Sequence, residues 1–144
     1  MFTSATKQDI QQARRREIAW TGFICLLCSI LCAVFGAVYE YYSHEVYSNY
    51  MLYAFLIPLA GGTLPCFTLI LSRRILLPQK PAVYLYNSGL ASLTVGSLMK
   101  GVLEIYGTEN ALLVIYVIVG FLLVVLGLFH YGAMYFLSIM QKKK

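Results

Sequence analysis

The charged residues of this 144-residue chain are bunched, and the gaps between them decide what it can fold into. No Asp, Glu, Lys or Arg falls between Glu17 and Glu40, Glu45 and Arg73, Lys80 and Lys100, or Glu109 and Lys142, leaving uncharged runs of 22, 27, 19 and 32 residues. A helix crosses the hydrocarbon layer with about 20 apolar residues. The chain is 60% hydrophobic and 12% charged, against roughly 45–50% and 25% in a soluble domain. A soluble domain of this size would lack the polar surface to cover such a core. The pattern predicts an all-α polytopic membrane protein, a four-transmembrane-helix bundle with spans at about 18–39, 50–72, 82–106 and 111–138. Residues 1–17 are a polar N-terminal segment, 18–140 the membrane domain and 141–144 a basic tail; neither end is long enough to bury a core of its own. The first run exceeds the roughly 7–15 residues of a signal-peptide apolar stretch, and Cys32 follows Ser29-Ile30-Leu31 where a lipid-attachment box has small residues.

Charge position sets orientation. Ten of the eleven basic residues sit at three places: Lys7 with Arg14-Arg15-Arg16, Arg73-Arg74 with Lys80, and Lys142-Lys143-Lys144. With four crossings all three lie on one side, which the positive-inside rule makes the cytoplasm. The expectation is a multi-pass protein of the cell membrane with both termini cytoplasmic. Its basic clusters then meet the bilayer's anionic head groups, and nucleic acid is not expected as a partner. So strong a bias fixes one orientation, so any homo-oligomer is expected to be parallel. Tyrosines from Tyr39 to Tyr53, with Tyr106, gather at the predicted outer ends; Trp20, Tyr84, Tyr86, Tyr131 and Tyr135 gather at the inner ends. Amphipathic rings favour the head-group level.

Within the second run, Pro58, Gly61, Gly62 and Pro65 predict a kink or local opening, a candidate hinge, because each proline removes a helix hydrogen bond and clashes one turn back. The two halves also align at an offset of 64: Val38, Glu40, Tyr42 and Glu45 fall on Val102, Glu104, Tyr106 and Glu109. For the second and fourth spans the offset is 66, pairing Tyr50, Ala54, Gly61 and Cys66 with Tyr116, Gly120, Gly127 and Gly132. A duplicated two-helix hairpin is one reading of this register, and chance is the other.

Cys25-Leu26-Leu27-Cys28 has the spacing of a thiol–disulfide pair. On the reducing side of a membrane, in apolar surroundings, such thiols are inert. Cys25, Cys28 and Cys32 therefore read as small helix-packing residues, as do Ser88, Ser92 and Gly96 in the third span and Gly120 and Gly127 in the fourth. In the third span Ser88, Ser92, Gly96, Lys100 and Glu104 form a stripe, with Gly89 and Ser97 beside it, opposite Ala91, Val95, Leu98, Val102 and Ile105. The first face is expected to pack inward and the second to meet lipid.

Lys100 is the one basic residue away from the three clusters. An ionisable group inside a span marks a functional site by default, and Lys100, Glu104, Glu40 and Glu45 form the candidate transport or ion-pair set. Lys before Glu at i, i+4 is the poorer order for an isolated pair, which points to Glu40 or Glu45 as a partner. The alternative is a snorkelling lysine with a structural pairing. His130 reads as a hydrogen-bonded packing residue. The sequence holds no glycine-rich phosphate loop, nucleophile elbow, zinc signature or nucleotide motif, so neither catalytic residues, metal nor cofactor are expected. Three functions remain open. The first is a non-enzymatic structural or accessory subunit of a larger membrane assembly. The second is a small transporter or channel acting as a parallel oligomer through the Lys/Glu site. The third is a membrane thiol oxidoreductase using Cys25 and Cys28.

Overall fold

The computed structural model describes residues 2–43, 47–72 and 77–142, the side chains of 2–7 and 142 excepted, and among these all regular structure is helical. Helix α1 runs Phe2–Tyr42, α2 Asn49–Leu52, a π-helical stretch Ile57–Thr63, α3 Leu64–Leu71, α4 Lys80–Ile105 and α5 Leu113–Lys142. At 1.5 Å per residue α1 is about 60 Å long, so the polar N-terminal residues continue the first apolar run as one helix.

Three helical stretches are long and apolar enough to cross a membrane: Gln8–Tyr42, Asn49–Leu71 and Leu113–Gln141. Helix α4 falls short in hydropathy despite its 26 residues. Like Asn49–Leu71, α4 is packed along two sides, in its case against Asn49–Leu71 and against α5. A helix lined by protein rather than lipid has room for serine, threonine and glycine.

The helices pack antiparallel in chain order: α1 on Asn49–Leu71, that segment on α4, and α4 on α5. Between α1 and α4 the links are at the two ends. Lys80 Nζ pairs with Glu17 Oε1 at 2.8 Å, and the Tyr39 and Tyr106 rings meet edge to face at 6.4 Å. We call these the basic end and the tyrosine end. The arrangement is a row rather than a closed bundle.

Helix α1 buries one seam. Ile18, Gly22, Ser29, Cys32 and Gly36 are buried and Cys25 half-buried, at alternating steps of four and three that keep a seam aimed at one partner. Cys28, expected on this face, is exposed, because Cys25 and Ser29 already occupy the two positions per turn that face the partner. Helix α4 carries two seams instead of one. Gly89, Ser92 and Gly96 meet Gly120, Val124 and Tyr116 of α5; Leu90, Ser97 and Gly101 meet Gly61, Tyr50 and Met51. Leu90 and Thr94 are buried between them. Ser88, Lys100 and Glu104 are exposed, since the inward surface spreads over two faces and leaves that stripe at its margin.

The two hairpins differ in register. Cys25 lies against Gly62, whose counterpart at the 66-residue offset is Leu128, yet Gly89, the counterpart of Cys25, lies against Gly120 and Val124. One pairing is displaced by a helical turn or more from the other.

Candidate functional site

The chemistry-bearing side chains concentrate around the broken second segment. From Ser48 the chain makes one turn of α2, then a turn at 53–55, then the π stretch. Pro58 has no N–H to give and its ring would clash with the carbonyl one turn back. A wider π turn relieves that clash, and π turns are rare enough that one inside a helix commonly marks a functional position. Gly61 and Gly62 then let neighbours approach: a methyl group on Gly62 would stand 2.6 Å from Cys25 Sγ, and one on Gly61 2.6 Å from Leu90 Cδ2. The candidate hinge residues thus lie within or beside the π stretch, wedged between α1 and α4.

Neighbouring side chains donate to three carbonyls of this irregular segment, one of which, Phe55 O, also accepts from Leu59 N. Ser29 Oγ of α1 donates to Phe55 O at 2.9 Å. Tyr86 Oη of α4 donates to Gly61 O at 2.8 Å, the carbonyl that Pro65, lacking an N–H one turn on, leaves without its helical donor. Ser97 Oγ donates to Tyr50 O at 2.8 Å. Away from water an unmet carbonyl costs as much as a lost hydrogen bond, so these caps let the irregular segment persist. Tyr86, expected in the inner aromatic belt, is instead half-buried and serves the core.

At the tyrosine end the segment is clamped. Ser48, Met51 and Ala54 are deeply buried, at 1%, 1% and 0% exposure. Met51 lies between two glycines. A methyl group on Gly101 would stand 2.7 Å from Met51 Cβ, and one on Gly36 3.3 Å from Met51 O. Ser48 Oγ donates to Glu104 Oε2 at 2.5 Å. Lys100 Nζ lies 4.0 Å from the centre of the Tyr50 ring, a cation–π contact.

Of the candidate ion-pair residues, Lys100 and Glu104 contact neutral partners among the described residues. Among the described residues the single ion pair is Glu17–Lys80. Lys100 rests on Tyr50, Glu104 accepts from Ser48, and Glu40 keeps a buried Oε1 without a hydrogen-bond partner among the described residues. Glu45 and His44 lie outside the described residues. Lys100 and Glu104 line an open groove of about 490 Å³ between α4 and α5, with Thr108, Glu109 and Asn110 on its rim. The rim is shaped by Gly107, whose φ of 70° ends α4 while Thr108 N–H reaches back to Leu103 O at 2.9 Å, a Schellman closure. His130 is half-buried, and its Nδ1 has no hydrogen-bond partner among the described residues.

The four cysteines are unpaired thiols. Cys25 faces Gly62 and Cys66 faces Gly22, while Cys28 points away from that seam, so the Cys25–Cys28 spacing does not put both thiols on one buried surface. Among the described residues no three His, Cys, Asp or Glu side chains gather as a metal would need.

Sequence reasoning missed the capping roles of Ser29 and Tyr86, and Gly22 and Gly36. The signal was present: Ile18, Cys25 and Cys32 repeat at seven residues, as do Gly22, Ser29 and Gly36. Comparison of the chain with protein-family models, with curated proteins and with solved structures gave no match.

Proposed function

We propose that this is a multi-pass protein of the cell membrane in which all four helical segments cross. Both termini are cytoplasmic, and the chain acts as a non-enzymatic structural or accessory subunit of a membrane assembly. Four crossings return the three basic clusters to one side, in keeping with the positive-inside rule, and α4, shielded by its neighbours, crosses with modest hydropathy. One observation carries the structural reading. Five polar side chains join helices to the broken segment: Ser29, Tyr86 and Ser97 donate to its carbonyls, and Ser48 and Tyr50 engage Glu104 and Lys100. Helix α5 supplies the surface for association. Its main packing is on α4, while Val117, Phe121, Leu128 and Phe129 are exposed.

Native mass spectrometry and co-purification from mild detergent test this. The expected result is a defined complex, with a parallel copy or another membrane protein, that survives in the folded fraction of Lys100→Met and Glu104→Gln. Both variants are expected to lower folded yield.

A transporter or channel acting as a parallel oligomer is the second reading, favoured by the open groove beside Lys100, Glu104 and Glu109. Solute or ion flux through the purified chain in vesicles, abolished by Lys100→Met with the fold intact, would establish it and displace the structural reading.

A further inference from the structure

The basic end holds a second groove that none of the roles above uses. It is about 530 Å³, lies between α1 and the start of α4, and is lined by Arg14, Arg16, Glu17, Trp20, Lys80 and Tyr84 among others. Its wall is held in place by two contacts. Arg14 Nη1 donates to Pro78 O at 3.0 Å, and Glu17 pairs with Lys80 at 2.8 Å. The second raises the Lys80 ammonium pKa, through the hydrogen bond from Lys80 to the carboxylate and then its charge.

Three cations against one carboxylate leave the groove positive. Arg16 is exposed and without an ion-pair partner among the described residues. Arg14 keeps most of its five donors after the bond to Pro78. The groove also opens at the first turn of the 26-residue α4, whose dipole favours an anion there.

Below the cations the lining turns apolar. Ile18, Pro78 and Val83 belong both to this groove and to a second, largely apolar cleft of about 310 Å³ that continues past Ala82, Tyr86 and Leu128. Trp20 and Tyr84, both exposed, line the basic groove itself, as amphipathic rings do at the head-group level. A free anion would use only the upper part. A molecule with a phosphate and a hydrocarbon chain would use both.

We infer that this groove binds an anionic phospholipid, its phosphate head group between Arg14, Arg16 and Lys80 and an acyl chain in the adjoining cleft. The inference rests on the membrane reading above and adds a defined site to it. Basic pockets between helices on the cytoplasmic side are a known way of selecting anionic head groups.

Trp20 is the chain's one tryptophan and lines the groove, so it reports occupancy. The full-length protein is reconstituted in phosphatidylcholine vesicles, and quenching of Trp20 fluorescence is titrated with bromine-labelled phosphatidylglycerol or bromine-labelled phosphatidylcholine. Saturable excess quenching by the anionic lipid is expected at low mole fraction. Arg16→Gln and Lys80→Gln should each weaken it about fivefold. Arg15→Gln, which removes the same charge from a residue turned toward Ile70 O instead, should leave it intact. Helicity by circular dichroism confirms that each variant is folded. Equal quenching by both lipids, or equal losses for Arg15→Gln and Arg16→Gln, would overturn the site in favour of general surface charge. Displacement of the anionic lipid by millimolar inorganic phosphate would overturn the lipid in favour of a soluble anion. Failure of the chain to associate with either vesicle would instead refute the membrane reading itself, and the site with it.

Discussion

Glycine is the residue on which this chain's packing turns, and its positions differ sharply in tolerance. A methyl group on Gly101 would stand 2.7 Å from Met51 Cβ and 2.9 Å from its backbone nitrogen, neither of which can rotate away, whereas one on Gly132 would meet nothing within 4 Å. Gly101→Ala is therefore expected to cost about 1–3 kcal/mol, the usual range for overpacking. Gly132→Ala should be neutral or slightly stabilising, because glycine in a helix interior is itself unfavourable. Denaturant unfolding in micelles, followed by circular dichroism, measures both. At Lys100 the partner is a ring. Lys100→Arg should keep the contact, while Lys100→Met or Tyr50→Leu should lower stability by removing the cation–π contact, and the double variant should lose little more than either single one. Sequence reasoning names Glu40 or Glu45 for Lys100 because charge pairs are what spacing reveals, and Glu45 lies outside the described residues. An aromatic partner from the helix before it depends on tertiary register, which spacing does not encode.

Among the elements, the broken second segment is the least regular and the most supported. Its disruption is legible in the sequence, since Pro58, Gly61, Gly62 and Pro65 fall within eight residues. Its support is not, because which carbonyls are left open, and which hydroxyls reach them, depends on how α1 and α4 lie against it. Tyr86 illustrates the gap: by position it reads as an interfacial ring, by contact it caps Gly61 O. Tyr86→Phe should cost about 1 kcal/mol, the usual net value of a hydrogen bond, since the acceptor is only part-buried. In a Pro65→Ala background, where a backbone N–H returns one turn beyond Gly61, the same change should cost markedly less. A double-mutant cycle of unfolding free energies reads the coupling directly. The small-residue seams were only partly legible. Gly120 and Gly127 lie on the α4–α5 seam as periodicity suggests. The stripe Ser88–Ser92–Gly96–Lys100–Glu104 is divided because α4 serves two neighbours.

At the scale of the whole molecule, α5 depends mainly on its interface with α4. On Gly89 a methyl group would stand 2.7 Å from Gly120 O and from Val124 N, so a larger side chain there must push the two backbones apart. Gly89→Leu is expected to free α5 from α4 while leaving α1 and Asn49–Leu71 on α4 undisturbed. Paired cysteines placed across each interface in a chain lacking its four native thiols would report it. Cross-linking should fall several-fold at the α4–α5 contact and persist at the Ser97–Tyr50 contact. Fusing reporters to both ends tests orientation, with cytoplasmic signals expected from each.

The row of helices has a consequence for biogenesis. Each long helix finds its main partner in the stretch of chain made just before it, so loop closure is short at every step and contact order is low. The polypeptide can dock its helices one at a time as they leave the ribosome. Of these helices α5 emerges after the other three, and it leaves one flank that none of them covers.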